Sequence, residues 1–291
     1  MIGLRAISPL RIAAIGSVLA GCAAITGVGD LEIAPDDSPT APDAGLDPTD
    51  SAVGADRTTL TDDGAAIDAG LDGASSCPSF ATFCDDFESA NLTKWTSLLQ
   101  TNSGKVSIVD MPVFAGKHAL HAVGGPSTPV GGGYPAVGAA ARVTVPVVAS
   151  GMIVTRARVY MPKILAAETT FIKIFGNNGV DDMNVKISNG GLVKEDTDVP
   201  NEGPEITGTK VAPIATWFCI EWQATIAGAL GTLGHQKVIV DGETVIDVDE
   251  NNFTSQGYDA VQFGFHASNG QVMQEVYFDD VVTATQPIGC N

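Results

Sequence analysis

The chain has 291 residues, and its 34 acidic and 15 basic side chains give a formal net charge of −19 at pH 7. This acidic balance argues against a nucleic-acid partner, because no basic stripe is present to neutralise phosphates. It argues equally against electrostatic attachment to anionic lipid head groups.

The amino-terminal segment has the pattern of an export signal. Arg5 and Arg11 accompany an apolar run over residues 12–21, which is long enough for the hydrophobic region of a signal peptide. The run is too short for a membrane-spanning helix, which needs about 20 apolar residues. The sequence therefore predicts a signal peptide over residues 1–21 and an exported chain.

The residues at the expected cleavage point, Leu19-Ala20-Gly21-Cys22, resemble the lipobox of bacterial lipoproteins. The resemblance implies cleavage before Cys22, acylation of its thiol by fatty acids such as palmitate, and lipidation of the new amino terminus. Ala23 follows the cysteine, which in such lipoproteins is compatible with outer-membrane sorting. We therefore expect a lipid-anchored protein of the bacterial cell envelope, attached to the outer membrane on its periplasmic or exterior side. The alternative is an ordinary cleaved signal peptide followed by a free cysteine.

Residues 22–76 are expected to comprise the lipidated cysteine and a disordered, acidic tether. The segment has no aromatic residue, and residues 30–76 contain twelve acidic side chains and one basic side chain, Arg57. Such a composition cannot bury enough apolar surface to offset the entropy lost on ordering. The sequence Asp-Ala-Gly-Leu-Asp occurs at 43–47 and again at 68–72, which favours low-complexity repetition over loose calcium loops.

Four further cysteines, Cys77, Cys84, Cys219 and Cys290, follow the tether. An even number in an exported chain predicts two disulfides, whose connectivity the sequence leaves open among three pairings. We favour Cys77–Cys84 with Cys219–Cys290, which on the chain-entropy model stabilise the fold by about 2.5 and about 4 kcal/mol respectively. A zinc site is disfavoured, because no close Cys-x-x-Cys pair is present.

From Cys77 onward the hydrophobic pattern has period two, which is typical of half-buried strands. Strands are predicted over 143–148, 152–160, 170–175, 182–188, 217–226, 235–241, 244–249, 260–266 and 271–283. Asp241-Gly242 between two apolar runs is the strongest hairpin signal in the chain. Residues 77–291 are therefore predicted to form one all-β domain, a two-sheet antiparallel sandwich.

Three short segments of this domain resemble the concanavalin A-like (LamG-like) jelly roll. They are Phe-Cys-Asp-Asp-Phe-Glu-Ser at 83–89, Val-Ile-Val-Asp-Gly at 238–242 and Tyr-Phe-Asp-Asp-Val at 277–281. The resemblance implies that the first and last strands pair near each other. It also implies that one sheet is concave and suited to saccharide, and that the chain is a lipoprotein presenting this domain on its tether.

Alternation along the strands places several polar residues on the face opposite the apolar positions. If these strands belong to one sheet, seven residues gather on its outer face: Arg156, Arg158, Tyr160, Lys173, Lys186, Gln262 and His266. Arg and Lys in an otherwise acidic domain suit the carboxylate or sulfate groups of an acidic polysaccharide. Tyr160 and Trp217 would stack on sugar rings. The alternative is a polar sheet face that simply meets water.

The leading hypothesis for function is non-catalytic glycan binding, with an enzyme regarded as the less favoured reading. The first alternative is a divergent polysaccharide lyase, in which His266 and Tyr160 are the candidates for the base and Arg158 neutralises a uronate carboxylate. Against it, an alginate-lyase-like Arg-x-Glu-x-Arg pattern is absent from 156–160. Hydrolysis is also poorly supported, because no glucanase-like Glu-x-Asp-x-x-Glu occurs. A protein-binding or structural adhesion module is the third hypothesis.

Acidic residues flank both ends of the domain, namely Asp85, Asp86 and Glu88 at the start and Asp279 and Asp280 at the end. If the terminal strands are neighbours, these carboxylates would come together as ligands for a structural Ca²⁺, which prefers several oxygen atoms. The alternative is that they are hydrogen-bonded turn and edge residues, which discourage aggregation between sheet edges.

Overall fold

The computed structural model describes residues 77–199, 203–267 and 270–290. The signal peptide, Cys22 and the acidic tether lie outside the described residues. Apart from a 3₁₀ turn at Asn177–Gly179, the described residues form strands, turns and loops. None of the helical segments in this part of the chain has the length and apolarity needed to cross a bilayer.

The domain is an all-β sandwich of two antiparallel sheets. The first sheet contains β1 (Phe83–Asp85), β3 (Lys105–Val109), β4 (Ala119–Gly124), β6 (Gly151–Tyr160), β11 (Trp217–Ile226), β12 (Gly234–Val240), β13 (Glu243–Glu250) and β15 (Gln274–Ala284). The second contains β2 (Ser97–Thr101), β5 (Val137–Val148), β7 (Thr169–Gly176), β8 (Asp181–Ile187), β9 (Leu192–Thr197), β10 (Ile206–Val211) and β14 (Tyr258–Ala267). The predicted fold class is confirmed.

Strand order brings distant parts of the chain together. The first sheet runs β13-β12-β11-β6-β15-β4-β3, and β1 also pairs with β15, so the two terminal strands are neighbours, as the resemblance implied. The second sheet runs β10-β9-β8-β7-β14-β5-β2. Because β6 and β7 are consecutive in sequence but belong to different sheets, the chain passes from one sheet to the other between them.

Two disulfides join the cysteines in the favoured pairing. Cys77 is bonded to Cys84 and Cys219 to Cys290, with Cα–Cα distances of 5.6 and 5.7 Å. The second bond fixes the carboxy-terminal segment to β11. It closes a loop of 71 residues, which in the chain-entropy model stabilises the fold by about 4 kcal/mol.

Apolar side chains from alternate strand positions fill the space between the sheets. On β14, Phe263 and Phe265 are fully buried, and Phe263 makes edge-to-face contacts with Trp95 and Phe278 at centroid distances of 6.1 and 6.4 Å. The buried indole of Trp222 on β11 donates a hydrogen bond to Gln236 Oε1 at 2.8 Å. The opposite, polar face of each sheet is therefore directed away from the core.

The predicted hairpin is present between β12 and β13. Asp241 and Gly242 both have positive φ, 51° and 80°, as two-residue hairpin turns require. Gly242 adopts this conformation without the steric penalty that a Cβ would bring.

Candidate functional site

The seven candidate ligand-binding residues do not share one face, and the expectation that they gather on a single sheet is wrong. Arg156, Arg158 and Tyr160 lie on β6 in the first sheet. The other four lie on β7, β8 and β14 of the second sheet, namely Lys173, Lys186, Gln262 and His266. Because the polar faces of the two sheets point away from a common core, these two groups cannot bind one ligand together.

The two arginines of β6 hold the carboxy-terminal segment. Arg156 donates to the carbonyl oxygens of Gly289 and Asp280 at 3.3 and 3.4 Å, and only 9% of its surface is exposed. Arg158 donates to the carbonyl oxygen of Cys290 at 3.4 Å, and its guanidinium lies 4.3 Å from the ring centroid of Phe114. Both side chains therefore serve the fold, and burial lowers the pKa of Arg156.

Tyr160 belongs to a row of rings on the first sheet's polar face. His121, Tyr277, Tyr160 and Trp217 are direct neighbours in register on β4, β15, β6 and β11. The ring centroids are 4.4, 5.9 and 5.6 Å apart along the row. Tyr160 is thus on the opposite side of the sandwich from His266, so the two candidates for the base of a lyase do not share a site.

The carboxylates of the opening segment are occupied by hydrogen bonds. Asp85 is fully buried, and its Oδ2 accepts a 2.7 Å bond from the indole of Trp95. Asp86 Oδ1 accepts from the Glu88 amide at 3.3 Å. Glu88 Oε1 accepts from the backbone amides of Lys117 and His118. These residues orient turns and loops.

In the closing pair the Asp279 carboxylate is engaged in the same way, and the five residues do not form the expected calcium site. Asp279 Oδ2 accepts from the amides of Phe114 and Ala115 at 2.9 and 3.2 Å, and burial raises the pKa of Asp279 to about 7. Asp280 is buried, and its carbonyl oxygen accepts a hydrogen bond from Arg156. Within the described residues no three His, Cys, Asp or Glu side chains are grouped so as to hold a metal ion. Backbone amides and the Trp95 indole donate to the carboxylates of Asp85, Asp86, Glu88 and Asp279, which holds four of the five groups in turn and loop contacts.

An open pocket lies on the polar face of the second sheet. Its empty volume is about 500 Å³, including the part continuous with solvent. Strands β7, β8 and β14 supply five of its lining residues: Thr170, Lys173, Asn184, Lys186 and His266. The other two are Glu168, which precedes β7, and Asp198, which follows β9. Three of the predicted ligand-binding residues, Lys173, Lys186 and His266, therefore line one concavity.

The lysines of the pocket are already paired with carboxylates. Lys173 lies 2.9 Å from Asp182. Lys186 lies 2.5 Å from Asp196, with Glu205 and Glu168 at 3.5 and 3.9 Å. Burial alone would lower the pKa of Lys186, but the hydrogen bond to Asp196 and the surrounding carboxylates raise it overall. The pocket is therefore a network of alternating charges and not a simple cationic patch.

His266 is the titratable side chain of this pocket that is best suited to accept a proton. It lies opposite Thr170 of β7 and Gly138 of β5, and the residue is exposed to solvent. Desolvation of the ring within the pocket wall, followed by the nearby Lys173 charge, lowers the pKa of His266. The imidazole is therefore neutral at pH 7.

Gln262 lies on β14 four positions before His266 and is buried. It is opposite Lys173 on β7 and Arg142 on β5. The guanidinium of Arg142 covers the Phe175 ring at 4.0 Å. Gln262, Arg142 and Phe175 thus extend the polar face beside the pocket, although they do not line it.

Four residues that line the pocket were not among the candidates, namely Glu168, Thr170, Asn184 and Asp198. Asn184 occupies the same alternation as Lys186, so the signal was present in the strand pattern. Asp198 follows β9, a strand that the hydrophobic pattern does not predict.

No protein-family model matches the chain, and no curated protein matches it in sequence. Solved structures do share the fold. An endo-β-1,4-glucuronan lyase from the fungus Trichoderma reesei is 17% identical, with a TM-score of 0.54 over 71% of this chain and 96% of that chain. A cellulose-induced protein is 20% identical, with a TM-score of 0.53 over 72% of this chain and 100% of the other. An alginate lyase from Chlorella virus is 15% identical, with a TM-score of 0.51 over 70% and 99%. At these identities the likeness concerns the fold.

Proposed function

We propose that the domain is a polysaccharide lyase that binds an acidic polysaccharide in the pocket of the second sheet. The observation that carries the proposal is an open pocket lined by both His266 and Lys173, in which burial and the Lys173 charge lower the pKa of the imidazole. Two of the solved structures that share the fold are lyases named for glucuronan and alginate, which supports the proposal.

In the proposed reaction a uronate residue enters with its carboxylate toward Lys173 and Lys186. Each lysine exchanges part of its pairing with a protein carboxylate for the substrate, which neutralises the substrate charge and makes the proton on the adjacent carbon more acidic. His266 takes that proton as a general base. A base whose pKa lies below neutral is present in the required form at pH 7.

Glycan binding without cleavage is the second candidate, and the charge network favours it. Lys173 and Lys186 must give up close carboxylate partners before they can neutralise a substrate. No tyrosine is among the described residues that line the pocket, so only one of the two candidate bases, His266, is present there.

Incubation of the full chain with glucuronan, alginate and a neutral glucan tests the proposal. Elimination creates a carbon–carbon double bond in the product, which is followed by its ultraviolet absorbance. We expect absorbance to rise with an acidic polysaccharide only, and to fall about 10²–10⁴-fold in His266→Ala. His235→Ala is the matched control, because His235 is partly exposed on β12 of the other sheet. Saturable binding of all substrates without product would favour the second candidate.

We also propose that Cys22 anchors the domain to the bacterial envelope through lipid, on the strength of the sequence at 19–22. The acidic segment up to residue 76 would then act as a spacer, since self-repelling charges extend a chain. Metabolic labelling with a palmitate analogue should mark the wild-type chain and leave Cys22→Ser unlabelled. Equal labelling of both would contradict the anchor.

A further inference from the structure

The cations on the strands of the second sheet differ in their partners. Arg142 on β5 has no ion-pair partner among the carboxylates that the structure describes, and its guanidinium contacts an aromatic ring instead. The other described cations on these strands are lysines, and each lies 3.2 Å or less from a carboxylate oxygen: Lys173, Lys186, Lys194 and Lys210. Arg142 therefore carries a positive charge that no neighbouring carboxylate balances.

Arg142 is positioned by the ring that it contacts. Its guanidinium lies 4.0 Å from the ring centroid of Phe175, a half-buried residue of β7. The Lys173 ammonium lies 5.3 Å from the same centroid. A guanidinium packs readily on an aromatic ring, and its N–H donors form a rigid fork that matches the geometry of a carboxylate. The contact with Phe175 thus orders the Arg142 side chain without neutralising its charge.

The amide next to Arg142 also lacks a partner. Gln262 on β14 lies in direct register between Lys173 of β7 and Arg142 of β5. Gln262 is only 7% exposed, and its side-chain amide makes no hydrogen bond to a residue that the structure describes. Neither amide atom is among the enclosed polar atoms without a partner, so the unpaired amide reaches the surface. A largely buried polar group of this kind is suited to a polar ligand.

Arg142 and Gln262 are displaced along the strands from the proposed base. His266 lies opposite Gly138 of β5, and Arg142 is four residues further along that strand, which is about 13 Å at 3.3 Å per residue. Phe175, which the guanidinium contacts, pairs with a position of β14 that is still farther from His266. The carboxylate of the reacting uronate is attached to the carbon that loses its proton, so it stays beside His266. Arg142 is therefore placed for the carboxylate of a different sugar.

We propose that Arg142 and Gln262 form a second subsite, which binds the carboxylate of a uronate at a distance from the reacting sugar. This inference rests on the proposed binding of an acidic polysaccharide. Arg142 donates two parallel N–H bonds to the carboxylate, and Gln262 bonds to a polar group of the same sugar. Because Arg142 has no protein carboxylate to release, it binds without the exchange required of Lys173 and Lys186. The subsite favours chains in which uronates recur over chains with an isolated uronate.

Calorimetric titration of the full chain carrying His266→Ala with a glucuronan octasaccharide measures affinity without turnover. Adding Arg142→Gln should weaken binding about tenfold or more, because charge-assisted hydrogen bonds are lost. Arg142→Lys should lose part of this affinity, since it keeps the charge and lacks the fork. The same octasaccharide with its carboxylates reduced to alcohols should bind all three chains equally. Lys237→Gln is the matched control, because it removes one positive charge from β12 of the other sheet.

Two further readings locate Arg142 relative to the reacting sugar. In the chain that retains His266, Arg142→Gln should raise KM for glucuronan about tenfold and change kcat less than about threefold. A fall in kcat of about 100-fold at unchanged affinity would place Arg142 at the reacting sugar and overturn the inference. In the His266→Ala chain, the Arg142 Nε–H resonance should shift on titration with the octasaccharide. This reading does not depend on the folding of an Arg142 variant.

The outcomes separate the two proposals. Octasaccharide binding that depends on Arg142, in a protein that forms no unsaturated product, overturns the lyase function and supports the subsite. Cleavage by wild type, with equal affinities for Arg142→Gln and Lys237→Gln and a silent Arg142 resonance, overturns the subsite alone. If the chain binds no acidic octasaccharide, both proposals are wrong.

Discussion

The polar faces of the two sheets contain similar residues but differ in what covers them. On the first sheet, Arg156 and Arg158 bond to the carboxy-terminal segment, which a disulfide fixes to β11. On the second sheet, Lys173 and His266 line an open pocket. Cationic side chains on a sheet face therefore do not by themselves indicate a ligand site. The decisive feature is whether these side chains already donate hydrogen bonds to carbonyl groups of the chain itself.

The largest effect is expected from removing the covering segment's disulfide. Cys219→Ser combined with Cys290→Ser should lower the free energy of unfolding by about 4 kcal/mol, because the unfolded chain regains the entropy of a 71-residue loop. Urea denaturation measures the change. Activity of the folded fraction should stay at the wild-type level. A large loss of activity in the folded protein would contradict the claim that the ligand site lies on the second sheet alone.

Arg156→Ala should cost about 3 kcal/mol in stability. The substitution removes the buried guanidinium that faces the buried Glu221, its direct neighbour on β11, together with its bonds to the carbonyl oxygens of Gly289 and Asp280. Binding of polysaccharide to the folded protein should not change. A stable variant with weakened polysaccharide binding would contradict this role and indicate that Arg156 contacts the ligand.

The stability of the domain is expected to depend on pH, because the carboxyl group of Glu195 is buried. Burial, with the neighbouring Glu250, raises the pKa of Glu195 to about 9 from an unfolded value near 4.5. Between these values the folded chain holds a proton that the unfolded chain has lost, so stability falls as pH rises. The slope for wild type should exceed that for Glu195→Gln by about 1.4 kcal/mol per pH unit. Equal slopes in denaturation at pH 6, 7 and 8 would show that Glu195 is ionised when folded.

The smallest change in stability is expected for Lys173→Met, at less than about 1 kcal/mol, because its ion pair with Asp182 is partly exposed. Loss of the Lys173 charge should raise the pKa of His266, which proton NMR of the imidazole detects. Polysaccharide binding should weaken at the same time. A His266 titration that does not move would mean that Lys173 has no electrostatic effect on the pocket.

The sequence predicted strands well where β-branched and aromatic residues alternate with polar ones. The predicted range 217–226 coincides with β11. It did not predict β9, in which Lys194, Glu195 and Asp196 interrupt the apolar pattern. The interruption has a physical cause, because Glu195 faces the interior and shares hydrogen bonds through Thr197 with Glu250.

Only part of the site could be predicted, because alternation describes single strands and not their order in a sheet. Alternation within a strand correctly placed Lys173, Lys186 and His266 away from the core, because that depends on local geometry alone. It could not assign β6 and β7 to different sheets, because strand order depends on pairing between distant segments. Asp198 was missed together with the strand that precedes it.

Mapping a bound uronate oligosaccharide by backbone and side-chain NMR tests the central claim most directly, since it reports both faces in one experiment. We predict that saturable chemical-shift changes concentrate at Thr170, Lys173, Asn184 and His266 on the second sheet. Arg158, Tyr160 and Trp217 should be unaffected. Changes concentrated on those first-sheet residues, with the pocket silent, would contradict the account.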